Sequence, residues 1–190
     1  MCIRDSSYKG GRLVSGEQTK YNADGQPEIA YRTETTAKDI DFNKDTPFTF
    51  TAYLWRTYDA NRLLVSEKTR ENGLKYTYLW SYGNQYPVAR IEGAEYSEVT
   101  GWLSSASVGL PNTLTRPSDI ESRLTSIRNA LASKDVLVTT YTYLPQVGMT
   151  GMTDANGKTT GYAYDNYRRL SLVKNHESKA VMQYKYNLYD

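Results

Sequence analysis

Cysteine and histidine are almost absent from this 190-residue sequence, which has only Cys2 and His176. A single cysteine excludes a disulfide within the chain, so cysteine pairing says nothing about its compartment. One histidine and one cysteine are too few for a zinc site, and we expect no metal and no cofactor. Long apolar runs are missing as well. None approaches the roughly 18 residues of a membrane-spanning helix, so we expect no membrane span in this segment.

A dominant charge is also lacking. The sequence has 23 Lys and Arg against 21 Asp and Glu, a formal net charge of +2, with both signs mixed along the chain. Nucleic-acid-binding surfaces concentrate basic side chains. We therefore expect no nucleic-acid partner.

Tyrosine is the abundant residue, with 18 copies beside 3 Phe and 3 Trp. Its apolar ring and polar hydroxyl suit half-buried strands. Several tyrosines alternate with other residues, in runs around residues 76–82, 141–143 and 162–164. Side chains two positions apart share one face of a strand. Asp24-Gly25, Asn72-Gly73 and Asn156-Gly157 supply tight-turn residues between such runs, so the sequence predicts successive hairpins.

One region has helical periodicity instead. Apolar residues recur at Ile120, Leu124, Ile127 and Leu131. Ser118 and Glu121 fit a capping box after Pro117, and a shorter helix is predicted around residues 94–105. The fold class is therefore mainly β, made of successive antiparallel hairpins in a sheet or spiral, with one or two short helices inserted around residues 94–134. The expected divisions are a leader at 1–7, hairpins at 8–93, the helical insertion at 94–134 and hairpins at 135–190.

Three segments pass from a tyrosine at a strand end into a polar turn: residues 21–26, 58–63 and 164–170. They resemble the YD repeat of rearrangement-hotspot (Rhs) proteins, which reads Tyr-Asp, two variable residues, Gly, then Arg-Leu. A local resemblance over residues 78–94 and 139–150 is to Rhs-type proteins of Bacteroidetes. The second copy matches at Tyr58, Asp59, Arg62 and Leu63. The longest match comprises Asp154, Gly157, Thr159, Thr160, Tyr162, Tyr164, Asp165, Arg169 and Leu170.

The segments depart from the repeat where it has glycine. Arg168 stands at that place in the longest match, and Asn61 at that place in the second copy, which is one residue shorter. In the first copy Asn22 replaces the aspartate. A non-glycine residue at positive φ costs on the order of 1 kcal/mol, and less for asparagine. We expect Asp59 and Asp165 to accept hydrogen bonds from nearby backbone N–H groups, as in Asx turns.

The resemblance implies a large β-shell or spiral in a secreted or surface protein of a bacterium, in some members enclosing a C-terminal toxin. The expected role is a non-catalytic structural segment of such a shell or scaffold. Its partners would be further repeats of the same polypeptide and a C-terminal effector domain, and its location extracellular or at the cell surface. Residues 1–6 resemble translated adapter sequence from metagenomic assemblies, and the chain stops after a strand-like alternation, so we expect a fragment.

The candidate chemical sites are weak. Residues 39–45 place oxygen-bearing side chains as a calcium loop does, but Lys44 and Phe50 stand where an EF-hand needs Gly and Glu, so a solvated turn is expected. His176 lies in a polar stretch that predicts a hairpin turn, without a nucleophile nearby. Asp119 and Glu121 fall in a first helical turn, which favours acidic residues. We expect no catalytic residue and no enzymatic activity.

Three tryptophans support an alternative function. Trp55, Trp80 and Trp102 could stack on sugar rings if their side chains are exposed, which would make the chain a carbohydrate- or cell-surface-binding module. Packing against the sheet or its covering helices is the favoured interpretation of these residues. The sequence leaves both readings open.

Overall fold

The computed structural model describes residues 2–9, 12–33 and 50–187. Over these residues the chain forms twelve strands and two helices. It divides into two compact units, residues 1–75 and 76–190. Within each unit, strands that follow one another in the chain pair in antiparallel fashion. The prediction of a mainly β fold built from antiparallel hairpins is confirmed.

The first unit contains five strands in chain order. They are β1 (Cys2–Lys9), β2 (Arg12–Tyr21), β3 (Pro27–Thr33), β4 (Phe50–Tyr58) and β5 (Leu64–Thr69). β1 includes most of the segment predicted to be a leader, and its assignment as a leader stays a prediction. The calcium-like segment at residues 39–45 lies outside the described residues.

The second unit contains seven strands, again in chain order. They are β6 (Lys75–Ser81), whose first residue precedes the boundary, β7 (Tyr86–Glu92), β8 (Leu137–Leu144), β9 (Gly148–Thr153), β10 (Thr159–Tyr164), β11 (Leu170–Lys174) and β12 (Ala180–Gln183). Because consecutive antiparallel strands reverse direction, their connections alternate between two ends of the sheet. We call the end with connections 82–85, 145–147 and 165–169 the turn end. The end with connections 93–136, 154–158 and 175–179 is the helix end.

Two helices, α1 (Tyr96–Ser105) and α2 (Pro117–Leu131), lie in the connection between β7 and β8. This confirms the helices expected around residues 94–134. The apolar stripe predicted for the second helix is fully buried, since Ile120, Leu124, Ile127 and Leu131 are each at most 4% exposed. These side chains pack with Val99 and Leu103 of α1 and with Val88 and Ile91 of β7 into one core. The helices therefore cover an apolar part of the sheet.

The predicted capping box at Ser118 and Glu121 is wrong. Helix α2 begins at Pro117, so Arg116 is the N-cap residue and makes no side-chain capping bond. Proline fixes φ at a helical value and is favoured at the first helical position, which moves the start of the helix one residue before the assumed cap. The capping box lies instead at α1, where the backbone N–H of Glu95 donates to the Glu98 carboxylate at 2.8 Å.

Replacing Ile127 by alanine tests the contribution of the helices to this core. Ile127 is completely buried. We expect Ile127→Ala to lower the free energy of unfolding by about 2–5 kcal/mol, because it removes buried methyl groups and leaves a cavity. Urea denaturation followed by circular dichroism measures the change. The control Ser126→Ala, at an exposed neighbouring position, should change the value by less than about 0.5 kcal/mol. Equal effects of the two variants would contradict the packing described.

Candidate functional site

Among the residues that the structure describes, five connections share one turn geometry. In each five-residue turn the first N–H donates to the fifth carbonyl at 2.9–3.0 Å, and the fourth N–H donates to the first carbonyl at 2.9–3.1 Å. The turns are residues 22–26, 59–63, 154–158, 165–169 and 175–179. His176 lies in the last of them, in agreement with the expected hairpin turn, and its side chain is exposed.

An Asp or Asn side chain occupies the first position of every turn. Its Oδ1 atom accepts the N–H of the fifth residue at 2.8–3.0 Å in all five turns. In four of them it also accepts the N–H of the third residue, at 2.8–3.1 Å. Asp59 and Asp165 thus make the Asx-turn contacts expected for them. Asn22 and Asn175 serve as well, because the bonds need only one acceptor oxygen.

The fourth position of each turn has positive φ. Its residues are Gly25, Arg62, Gly157, Arg168 and Ser178, with φ between 61° and 79°. The sequence assignment of Asn61 to this place is therefore wrong, and Arg62 occupies it. All five turns have the same length, so the second copy of the repeat contains no shortened turn. Arg62 then lies inside the turn and does not begin the next strand.

The longest match to the repeat carries an additional ion pair. The Arg169 guanidinium donates to Oδ2 of Asp165, with Nε and Nη2 each at 2.8 Å. Backbone donation by Arg169, together with this pair and the Tyr167 N–H, lowers the pKa of Asp165. The guanidinium also lies over the ring of Tyr186 at 4.2 Å. Arg169 therefore connects its own turn to the segment after β12.

Tyrosine hydroxyls form a second recurring contact, between neighbouring strands. Tyr58 donates to the Pro27 carbonyl at 2.9 Å. In the second unit the same kind of bond joins Tyr143 to Pro87 at 3.0 Å, Tyr164 to Met149 at 2.8 Å and Tyr186 to Leu170 at 2.8 Å. We call the three bonds of the second unit the tyrosine ladder. All three lie at the turn end.

The accepting carbonyls share one position in the sheet. Pro27, Pro87, Met149 and Leu170 each pair with an aromatic residue near the end of the preceding strand, where the register shifts. Such a bulge leaves backbone groups without a regular partner. Tyr143 and Tyr164 each have a second role. Tyr143 pairs with Met149, whose carbonyl accepts the Tyr164 hydroxyl, and Tyr164 pairs with Leu170, whose carbonyl accepts the Tyr186 hydroxyl.

Glycine makes one of these approaches possible. A Cβ atom added to Gly148 would overlap the Tyr164 hydroxyl. The hydroxyl reaches the Met149 carbonyl by passing over the bare backbone of Gly148. A side chain at this position would displace the tyrosine from its acceptor.

Three tyrosines cluster where the ladder begins. The rings of Tyr86 and Tyr143 stack with centroids 4.9 Å apart, and Tyr82 meets both edge-on at 5.6 and 6.0 Å. The Tyr82 hydroxyl accepts the backbone N–H of Tyr143 at 2.9 Å, and the Tyr86 hydroxyl accepts that of Gln146 at 3.0 Å. Burial in this cluster raises the pKa of Tyr143 to about 12.

The three tryptophans are half-buried. Trp55 lies in β4 opposite Ile29, and Trp80 lies in β6 opposite Pro87. Trp102 lies in α1, packs against the core and has the Lys134 ammonium 5.4 Å from its ring centre. None is among the exposed large side chains of the described residues. Ligand stacking by these residues stays a prediction.

Sequence reasoning did not identify Tyr143 and Tyr186 as repeat tyrosines, and it predicted the turn at residues 175–179 without recognising it as a copy of the repeat turn. Tyr143 is followed by Leu144, so it lacks the Tyr-Asp signature, whereas Tyr186-Asn187 repeats the form of Tyr21-Asn22 and could have been found. The turn at 175–179 carries Ser178 where glycine was expected. The described part of the chain contains no cluster of three or more metal-ligating side chains. Among the same residues, no helix is long and apolar enough to cross a membrane.

Relief of backbone strain provides a test of the turn geometry. Arg168 has φ 62°, so Arg168→Gly should raise the free energy of unfolding by about 0.5–1 kcal/mol, the relief of strain exceeding the added chain entropy. Asn166, in the same turn, does not have positive φ. The control Asn166→Gly should therefore lower the stability by about 0.5 kcal/mol. Denaturant titrations give both values, and a loss in both variants would argue against the described turn.

Alkaline pH tests the buried Tyr143 hydroxyl. Its pKa is about 12 in the folded chain against 10.0 ordinarily, so between these values the folded state retains a proton that the unfolded state releases. Stability should then fall as the pH rises from about 10 and stop falling through this group near 12. Thermal melts should show a shallower decline for Tyr143→Phe than for Tyr167→Phe, a control at an exposed position. Equal slopes would refute this account.

No family model and no curated protein matches the chain. Solved structures resemble it, including the following two. A chain in the crystal structure of TcdB2-TccC3-Cdc42 matches 90% of this chain at 15% identity, with a TM-score of 0.49. A chain in the crystal structure of TcdB2-TccC3 without the hypervariable C-terminal region matches 95% at 11% identity, with a TM-score of 0.46. This chain covers 7% and 9% of those two chains.

Proposed function

We propose that this chain is a non-catalytic wall segment of a bacterial Rhs-type YD-repeat protein, forming part of a β-shell or scaffold. The observation that carries the proposal is the tyrosine ladder, in which Tyr143, Tyr164 and Tyr186 each donate to a bulge carbonyl of the preceding strand. The same contact repeats along the sheet at 2.8–3.0 Å. A structure extended by such repetition is suited to building a wall.

The turn and the ladder together supply what an isolated hairpin lacks. A two-stranded hairpin is marginal in water, and a net hydrogen bond contributes about 0.5–1.5 kcal/mol. Each ladder bond joins strands beyond the backbone pairing, and those of Tyr164 and Tyr186 lie next to the turn at 165–169, which the Asp165 side chain orders. This accounts for the Tyr-Asp pairs at Tyr58-Asp59 and Tyr164-Asp165: tyrosine binds the neighbouring strand, and aspartate orders the turn.

The remaining parts of the proposal follow from the sequence resemblance. They are secretion or surface display, continuation into further repeats of the same polypeptide, and enclosure of a C-terminal effector by the completed shell. The absence of catalysis is part of the same proposal. His176 lies exposed in a turn, and Asp119 and Glu121 lie on the exposed side of α2. Structural roles account for the repeat-motif aspartates Asp59, Asp154 and Asp165.

Removing one ladder hydroxyl tests its structural role. Tyr164→Phe should lower the free energy of unfolding by about 0.5–1.5 kcal/mol, because the Met149 carbonyl loses its donor. Tyr162 lies on the same strand, and its hydroxyl has no hydrogen-bond partner among the described residues. Tyr162→Phe is therefore the matched control and should be nearly neutral. Urea denaturation decides the matter, and a neutral Tyr164→Phe would remove the main support for the proposal.

The gene around this segment tests the shell itself. Sequencing the source DNA through both ends should reveal further Tyr-Asp repeats and a sequence-distinct C-terminal domain. Electron microscopy of the complete polypeptide should then show a hollow β-structure. Start and stop codons that bracket residues 7–190, or a solid particle, would rule out the shell.

A further inference from the structure

A cleft of about 400 Å³ lies in the second unit between α2 and the sheet face formed by β8, β9 and β10. The four threonines that line it from the sheet are Thr140, Thr142, Thr153 and Thr159. Its size falls within the range of about 300–1,000 Å³ that is usual for small-molecule sites. Neither the tyrosine ladder nor any of the three tryptophans lines it.

The sheet side of the cleft is an array of hydroxyl groups. Thr142 Oγ1 accepts the Thr150 hydroxyl at 3.0 Å, and the Thr153 and Thr159 hydroxyls lie 2.8 Å apart. Each hydroxyl has one donor and two acceptor sites, so these pairs retain capacity for further bonds. Between them lies Gly151, where an added Cβ would stand 2.8 Å from Thr142 Oγ1. The missing side chain keeps the cleft open.

The helix side argues against an anionic ligand. Arg128 is the cation of the lining, and its Nη1 and Nη2 atoms donate to the carbonyls of Val138 at 2.6 Å and Asp154 at 2.8 Å. The guanidinium thus fixes α2 to β8 and to the turn at 154–158. The Glu121 carboxylate in the same lining balances the charge of Arg128, so the cleft has no net positive charge to attract an anion.

Other classes of ligand fit less well. The lining contains no aromatic ring, so a planar base would have no stacking partner. The backbones of β8, β9 and β10 are paired with one another, so a peptide strand could not extend the sheet there. Glu121 is the only carboxylate in the lining. One negative charge is too little to bind a polycation. Threonine hydroxyls, the Asn129 amide and one carboxylate suit a ligand whose groups both donate and accept hydrogen bonds.

We propose that this cleft binds a neutral saccharide unit. The ring hydroxyls would bond to the threonines of the sheet and to Glu121 and Asn129 of the helix. The apolar face of the sugar would lie on the bare backbone of Gly151. The site is independent of the proposed wall function, because no ladder residue takes part in it.

Nuclear magnetic resonance of the whole chain tests the site. The neutral probes are methyl glucoside, methyl N-acetylglucosaminide and maltose, and the charged probes are glucose 6-phosphate and spermidine. At least one neutral probe should bind and shift the amide signals of Thr142, Gly151 and Thr153. Gly151→Ala should weaken that binding by about fivefold or more, since its methyl group enters the cleft. Gly161→Ala is the matched control, because Gly161 pairs with Gly151 across the strands but does not line the cleft.

A second variant covers the case in which Gly151→Ala does not fold. Glu121 is exposed on α2, so Glu121→Gln should preserve the fold and weaken sugar binding by about threefold or more through the loss of a charged acceptor. The proposal is overturned if no neutral probe binds at tens of millimolar, or if a charged probe binds more tightly. It is equally overturned if both variants bind like the parent chain. None of these outcomes would affect the urea-denaturation test of Tyr164.

Discussion

The hydrogen bond from a strand-end tyrosine to a bulge carbonyl is the contact on which the repeating structure depends. A register shift beside each turn at the turn end leaves a carbonyl that regular strand pairing does not satisfy. A half-buried carbonyl without a donor costs free energy, so the position must be filled. Tyrosine fills it from the neighbouring strand, at Pro87, Met149 and Leu170 in the second unit. Only a long side chain with a terminal donor reaches that far while its ring stays packed.

The two ends of the second unit differ in the length of their connections and in the presence of the tyrosine ladder. At the turn end every connection is short, and the tyrosine ladder runs along it. The helix end has no tyrosine before its turns, since Thr153 and Lys174 precede residues 154–158 and 175–179. The same end carries both helices in the connection after β7. An insertion there leaves the ladder intact, which explains how a long helical segment and a regular sheet occur in one unit.

Much of the fold could be predicted because it depends on sequence patterns within a few residues. The spacing of Ile120, Leu124, Ile127 and Leu131 predicted the buried face of α2, and alternating tyrosines predicted strands. The errors arose where two local rules compete. Pro117 shifted the helix start away from the Ser118 box, and the positive φ expected at Asn61 lies at Arg62 because the turn is counted from Asp59. Tyr143 was not recognised as a repeat tyrosine because the residue after it is leucine.

The sequence by itself determined the strands, the turns and the apolar face of the helix, because these depend on dihedral preferences and on side-chain periodicity within a few residues. Only the tertiary structure decided which carbonyl each hydroxyl meets and where the threonine cleft lies. Tyr164 binds a carbonyl 15 residues away and Tyr143 one 56 residues away. The unpaired carbonyl that needs this donor belongs to a bulge in another strand. No sequence pattern near the tyrosine predicts that carbonyl, because the bulge forms only when the strands pair.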